Sequence, residues 1–313
     1  MLKLEGIASF VAVAEAGSIS EAARRLHQSK SVVSERLADL ESSLGARLLH
    51  RTTRKISLTE DGATFLERAS RILREMEDAT AEIRERRGTL SGPLRISAPV
   101  TFGRRHLGPA LYPFLRANPA IELTLDMDDR RVDAAAAGYD AVIRNGVIED
   151  SRLVAWTLAP SRRVLVASPA YLAQHGTPKD LDELRAHRGI YYVNRGVADW
   201  QFVGASGATQ SVRAQVALRT NNGDMMLDAT IDGVGISLLP SFIAGESIQR
   251  GELTVIDVGA ATAEEFLYVA HPEGRNASVK LRAMTEALRA AIGSPPYWDA
   301  WQAEATPEDQ LIA

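Results

Sequence analysis

The chain has 313 residues, no cysteine, 45% apolar and 24% charged residues and a formal net charge of −4, an ordinary globular composition with room for two or three domains. The lack of cysteine excludes disulfides, thiolate metal sites and thiol nucleophiles. No apolar run approaches the roughly 20 residues of a membrane span, so no membrane partner is expected, and the missing cysteines point to a cytoplasmic location. Charge is unevenly spread: residues 24–55 carry eight Lys or Arg (Arg24, Arg25, Lys30, Arg36, Arg47, Arg51, Arg54, Lys55) against Glu35, Asp39 and Glu41, a local basic excess of the kind that meets nucleic acid.

Leu4, Ile7, Phe10, Val11 and Ala14 share one helical face and predict an amphipathic first helix. A signal peptide cleaved after Ala12-Val13-Ala14 is the competing reading, and Glu5, which cancels Lys3, argues against it. Ser18 and Glu21 form an S-x-x-E capping box, in which each side chain satisfies an orphan amide, so a second helix begins near Ile19. Ala22 and Ala23 allow a close helix crossing, and His27-Gln28-Ser29 reads as the turn after it. Ser29 or Ser31 can cap a third helix with the apolar stripe Val32, Val33, Leu37, Leu40 and Leu44, ended by Gly45. The result is a helix-turn-helix over about residues 19–38. Ser29, Lys30, Ser31, Ser34 and Glu35 stand at its exposed leading end, where a helix laid in the major groove of double-stranded DNA meets base edges.

Leu48 to Arg51 and Ile56 to Thr59 read as short strands flanking Thr52-Thr53-Arg54-Lys55, a basic wing. Arg51, Thr52, Thr53, Arg54 and Lys55 are its phosphate-contact candidates, since backbone contacts set register while base contacts supply specificity. A solvated helical pair with a charged hairpin is the bland alternative. Capping box, small-residue crossing, serine-rich helix start and basic wing within sixty residues argue together against it.

Thr59-Glu60-Asp61 opens a long helix that runs to about Arg87, roughly 40 Å at 1.5 Å per residue. Leu66, Ala69, Leu73, Met76, Thr80 and Ile83 alternate spacings of three and four, and Phe65, Ile72 and Ala79 widen the seam. Such a seam predicts a dimer-forming coiled coil through Leu66, Ala69, Leu73, Met76 and Ile83; packing against its own domain is the other reading.

Residues 1–59 closely resemble the winged helix-turn-helix of LysR-type transcriptional regulators. The match runs through Phe10-Val11-Ala12-Val13-Ala14-Glu15-Ala16-Gly17-Ser18, Ala22-Ala23-Arg24-Arg25-Leu26, Val33-Ser34, Leu40-Glu41, Leu44-Gly45, Leu48, Arg51-Thr52 and Leu58-Thr59-Glu60-Asp61-Gly62. Lys30 departs from the glutamine common in that family, and Gln28 and Glu35 replace frequent apolar and basic choices. Lys30 can read guanine O6 or N7, whereas Glu35 can accept from cytosine N4 and repels phosphate.

Gly88 to Pro93 forms a hinge, after which strands and helices alternate. Leu94 to Ala98, Ile121 to Met127 and Tyr139 to Ile143 read as strands, with helices at Leu107 to Leu115 and Val132 to Ala137. Further strands are expected at Val164 to Ala167, Ile190 to Val193, Val212 to Thr220, Ile236 to Leu239, Leu253 to Val258 and Phe266 to Ala270, and a last amphipathic helix at Val279 to Ile292. The alternation predicts a mostly parallel α/β layer. Leu94-Arg95-Ile96-Ser97-Ala98-Pro99-Val100, Tyr139-Asp140-Ala141-Val142-Ile143-Arg144, Ser168-Pro169-Ala170-Tyr171-Leu172 and Gly233-Val234-Gly235-Ile236-Ser237-Leu238-Leu239-Pro240 are similar to recurrent stretches of the LysR effector domain, itself similar to periplasmic binding proteins.

The resemblance implies a multidomain fold. A winged helix-turn-helix (1–59) and a linker or dimerisation helix with its hinge (60–91) lead to a two-lobed α/β effector domain (92–293), with lobe I near 92–161 and 268–293 and lobe II near 162–267. It implies a transcriptional regulator that binds DNA as a dimer or dimer of dimers, responds to a small-molecule effector between the lobes, and has RNA polymerase as a further partner. Effectors bind at the carboxyl ends of strands, which selects Thr101 and Phe102, Asp128, Arg144 and Asn145 in lobe I and Asn194 and Asn222 in lobe II. An anionic effector would engage Arg144; a neutral one, Asp128 and the asparagines. Residues 294–313 form a tail that is expected to be loose, though Tyr297, Trp298 and Trp301 could dock on the body or on a neighbouring subunit.

Enzymatic motifs are missing. Gly233-x-Gly235 lacks the third glycine of a dinucleotide fingerprint, and neither a phosphate loop nor a G-x-S-x-G elbow occurs. The six histidines show no paired ligand spacing, so no metal site or cofactor is expected. A periplasmic-type binding protein and an enzyme built on the α/β portion are the readings from other classes.

Overall fold

A division between Gly92 and Pro93 separates two units in this computed structural model, which describes residues 2–51, 56–85, 89–130, 134, 137–146, 153–198, 200–204, 208–272 and 277–302. Among these residues no helix is long and apolar enough to cross a membrane.

In the N-terminal unit, α1 (Leu4–Ala16), α2 (Ile19–Arg25) and α3 (Lys30–Leu44) are followed by the antiparallel pair β1 (Leu49–Arg51) and β2 (Ile56–Leu58), then by α4 (Glu60–Glu85). Phe10 and Val13 of α1, Ala22 and Ala23 of α2, and Val33 and Leu37 of α3 converge in one core. Each large apolar side chain buried there contributes about 1.5–3 kcal/mol. Caps set the boundaries. The Ser18 hydroxyl accepts the Glu21 amide, but the Glu21 carboxylate pairs with Arg24 and Arg25, so the capping box is only half made; a nearby cation outcompetes a backbone amide. His27 takes the left-handed conformation (φ 52°) at the turn. Ser29 caps α3 by accepting the Val32 amide, and Gly45 ends it at φ 65°. The carboxylate of Glu41 accepts the amides of Leu48 and Leu49 at 2.9 and 3.2 Å, which fastens the wing to the end of α3.

The seam of α4 divides in two. Ala69 is fully buried in the domain core, with Phe65, Leu66 and Leu73 packed against it. Leu66, Ala69 and Leu73 therefore pack on their own domain, because α4 starts by lying across α1. Further along, Ile72, Met76 and Ile83 are 44%, 47% and 62% exposed.

The C-terminal unit has two lobes. The lobe I sheet has the order β4-β3-β5-β15-β6, made of β3 (Gly92–Ala98), β4 (Ile121–Met127), β5 (Ala141–Gly146), β6 (Leu153–Pro160) and β15 (Phe266–Pro272). The lobe II sheet has the order β11-β8-β12-β7-β13, made of β7 (Arg163–Ala167), β8 (Arg188–Tyr192), β11 (Gln215–Thr220), β12 (Ile236–Pro240) and β13 (Thr254–Val255). A small sheet of β9 (Gln201–Val203), β10 (Thr209–Ser211) and β14 (Ala261–Thr262) sits beside it. Lobe I carries α5 (Val100–Phe102), a π turn (Gly103–Leu107), α6 (Gly108–Ala117) and α11 (Val279–Ile292); lobe II carries α7 (Pro169–His175), α8 (Leu181–Leu184), α9 (Gly223–Ile231) and α10 (Ser241–Gln249).

The sheets are mixed rather than mostly parallel. β3 runs parallel to β5, and β8 runs parallel to β11 and β12, but β15 opposes β5 and β6, and β7 opposes β12 and β13. The chain enters lobe II through β7 and returns to lobe I through β15, so both crossing strands run against their neighbours. The return is complete by Phe266, slightly before the expected boundary. The Ser161 amide bonds the Glu265 carbonyl at 2.8 Å and ties the two crossings together. The helix expected at Val132 to Ala137 lies mostly outside the described residues.

Candidate DNA-reading surface and interlobe site

The leading end of α3 faces outward. Lys30, Ser31 and Glu35 are exposed and Ser34 is half-buried, while Val33 and Leu37 on the opposite side are in the core. Ser29 and Ser31 bond each other through their hydroxyls at 2.9 Å. With its acceptor also engaged in capping, Ser29 sets where α3 begins. The wing strands pair in the register Leu49↔Leu58, His50↔Ser57 and Arg51↔Ile56; Thr52, Thr53, Arg54 and Lys55, together with the Arg51 side chain, lie outside the described residues. Arg24 and Arg25, counted in the basic excess, are engaged by Glu21.

Between the lobes lies a cavity of about 130 Å³. Its apolar wall is Phe102, Met226, Leu238, Leu239, Phe242 and Ile243, and its polar groups are Thr101, Asp129, Arg144, Asn145, Arg163, Tyr192 and Arg195. The lobes meet closely here: a Cβ on Gly223 of lobe II would stand 3.0 Å from the Thr101 hydroxyl of lobe I.

Thr101 does not cap its helix. Its hydroxyl donates across the lobes to Asp224 at 3.3 Å, and the same carboxylate accepts from Arg104 at 2.6 Å and Arg105 at 2.7 Å. Burial alone would raise the Asp224 pKa, but the two guanidinium groups hold it below its usual value. The Val100 amide at the start of α5 is already met from inside the protein, by Asp129 at 3.1 Å. Arg144 donates to the Ile143 carbonyl at 2.7 Å and to the Ser97 hydroxyl at 2.8 Å, and burial lowers its pKa. The Asn145 side-chain oxygen is buried against the cavity with no hydrogen-bond partner among the described residues.

Three predicted effector residues take other roles. Asp128 forms a chelate with Arg130 at 2.7–3.1 Å, which holds its carboxyl down at about 2; its neighbour Asp129 lines the cavity instead. Asn222 caps α9 by accepting the Met225 amide at 2.9 Å, and Gly223 is the lining residue. Asn194 is exposed and donates to the Tyr192 hydroxyl at 3.3 Å, leaving Tyr192 and Arg195 on the cavity.

Several site residues escaped the sequence reading. Burial and the nearby Asp129 carboxylate push the Tyr192 hydroxyl up to about 12, and burial also raises Asp129. Arg195 forms a forked pair with the buried Glu265 at 2.6 and 2.7 Å, linking the end of β8 to the return crossing. The usable signal was the strand-end rule itself: Tyr192 ends β8, and Asp129 stands two residues beyond β4. Glu265, more than sixty residues from Arg195, had no such signal.

Two family models match the chain: a bacterial regulatory helix-turn-helix protein of the lysR family over residues 4–63, and the LysR substrate binding domain over residues 87–293. The HTH-type transcriptional regulator PtxR of Pseudomonas aeruginosa is 34% identical over 299 residues, 95% of each chain. An HTH-type transcriptional regulator of Haemophilus influenzae is 32% identical over 286 residues, covering 91% of this chain and 99% of its own. The solved structure of CrgA, a LysR-type transcriptional regulator from Neisseria meningitidis, superimposes with a TM-score of 0.59 at 30% identity, covering 92% of this chain and 98% of its own. These relatives are regulators, not enzymes, and the chain belongs to the LysR family of transcriptional regulators.

Proposed function

We propose that this regulator reads DNA in the cytoplasm as a dimer, with Lys30, Ser31, Ser34 and Glu35 on base edges and the wing from Arg51 to Lys55 on phosphates, and that its interlobe cavity takes a small anion with an apolar body. The observation that carries the DNA reading is the outward presentation of the α3 start above a fully buried Val33 and Leu37. The exposed Ile72, Met76 and Ile83 supply the apolar stripe of a second copy's α4. Pairing of dimers, and contact with RNA polymerase beside a promoter, belong to the same reading.

Lys30→Ala should alter the base preference in sequences selected from random duplexes. Arg54→Ala should weaken binding evenly and lower the salt slope by about one unit. An unchanged slope would overturn the phosphate role of the wing.

The anion is supported by charge and size. Three arginines line the cavity against one carboxylate, Asp129, and a cavity of roughly 150 Å³ holds a benzene ring. Calorimetric titration should show benzoate binding about tenfold more tightly than benzamide, with Arg144→Gln removing the difference. Equal binding of the two would overturn the anion, and binding of neither would overturn the size class.

A further inference from the structure

We infer that the C-terminal segment Tyr297–Gln302 is a clasp that joins the two lobes beside the cavity and sets how far they close around it. The clasp rests on the reading of the cavity as an effector site only for its consequence. Its contacts stand independently.

The chain leaves lobe I through α11, which packs on α6 and β6, and the segment Tyr297–Gln302 then lies against α10 of lobe II. Among the described residues it is thus a third link between the lobes, covalent to lobe I and held on lobe II by packing, after the two strand crossings. Trp298 is 3% exposed. Its ring centroid is 6.3 Å from that of Phe102 in lobe I and 6.3 Å from that of Phe242 in lobe II, and those two rings stand edge to face at 5.5 Å. Both phenylalanines line the cavity. Trp298 therefore backs the aromatic wall from outside, and opening the lobes must strip it from one ring or the other.

Polar contacts repeat the pattern. His106 of lobe I is buried with one ring nitrogen 2.6 Å from the Phe242 carbonyl of lobe II and the other 2.5 Å from the Tyr297 hydroxyl. The carbonyl can only accept, so Nε2 carries the proton and Nδ1 accepts from the tyrosine. Asp299, 3% exposed at its side chain, stands 3.5 Å from Arg162, which lies in the first crossing between the lobes. Aromatic wall, histidine and crossing are all held by six consecutive residues. Ordering a six-residue segment costs conformational entropy, and burial of Trp298 and Asp299 against two lobes offsets it only while both are in place. The closed arrangement is thereby favoured over an open one, which is a shift of population rather than a rigid lock.

α10 offers a way to release the clasp without touching a single aromatic. A Cβ on Gly245 would overlap the Trp298 carbonyl, a backbone atom that cannot turn aside, while alanine itself favours the helix. The test is native-state hydrogen exchange on the full chain, read at residues 99–107 of lobe I and 241–249 of lobe II. Gly245→Ala and Trp298→Ala should each speed exchange about tenfold in both segments, with the β7 and β12 strands still protected. Tyr297→Phe, which keeps the ring and removes the hydroxyl from His106, should give a smaller change in the same two places. Acceleration confined to 241–249 would overturn the clasp and leave a tail that merely packs on one helix. Should Trp298→Ala fail to fold, Gly245→Ala carries the test. Benzoate titration separates the two readings: exchange that responds as stated without benzoate binding sinks the cavity reading and keeps the clasp, while bound benzoate with unmoved exchange sinks the clasp.

Discussion

In the N-terminal unit the polar side chains at the start of α3 point away from the core, whereas in the C-terminal unit those near the cavity point at one another. Lys30 and Glu35 stand exposed on α3, anchored only through the apolar residues behind them. Thr101, Arg104 and Arg105 converge on Asp224, and Arg195 grips Glu265. A reading surface of the first kind can change its target with little effect on stability. An arrangement of the second kind cannot do so as freely, because removing Arg195, for one, leaves the buried Glu265 without its partner.

The largest expected effect breaks the N-terminal half of that comparison. Leu37 is fully buried beneath the reading end of α3, so Leu37→Ala should destabilise its unit by about 2–5 kcal/mol and abolish DNA binding. Calorimetry should then show an early transition for the N-terminal unit and an unmoved one for the C-terminal unit; a joint shift would mean that the two do not melt independently.

Next in size is Arg195→Ala. It strands Glu265, 8% exposed, without its forked partner, and should cost the C-terminal unit about 1–3 kcal/mol, discounted because Arg195 is itself partly solvated. Adding Glu265→Gln should recover part of the loss in urea titrations. Absence of any recovery would show that the arginine acts through the cavity rather than through the pair.

Ser29→Ala sharpens the other side of the contrast. It removes the cap of α3 and should cost about 1 kcal/mol, with weaker binding to every DNA sequence and no change in base preference. A changed preference would return Ser29 to the base-reading set.

The smallest effect concerns pH. Burial lowers the His106 pKa, and Arg105 adds to this, while the Phe242 carbonyl and Glu246 oppose it. A histidine whose folded pKa is depressed stabilises the fold fully above its unfolded value of about 6.5, and that stability is lost as the pH falls through the folded value. The urea midpoint of the C-terminal unit should therefore drop between about pH 7.5 and pH 5.5, and drop less in His106→Gln. An equally steep fall in the variant would place the titrating group elsewhere.

Much of the N-terminal unit was legible because its signals are local. Ser18, Ser29 and Gly45 mark helix ends within a turn of the groups they satisfy, and the apolar stripe of α3 follows the helical period. The apolar seam of α4 was legible but its covering was not, for a physical reason: a seam records which face is apolar, not what covers it. Leu66, Ala69 and Leu73 turn inward while Met76 and Ile83 remain outside. In the C-terminal unit, β4 and α11 appeared with their ends as read, but β6 passed unnoticed because its burial does not alternate cleanly. Choosing Asp128 over Asp129 was a matter of one residue beyond a strand, which only the path of the following turn decides.

The order of residues by itself determined the winged helix-turn-helix, the long helix, the strand-and-helix alternation and the family, since caps, turns and apolar periods act over a few residues. Tertiary structure alone decided which polar groups meet: the convergence on Asp224, the Arg195–Glu265 pair and the docking of Trp298 on Phe102 and Phe242. Those partners lie between about fifty and two hundred residues apart in the chain, and contacts at such separations exist only after two lobes have folded and closed, which no local pattern encodes.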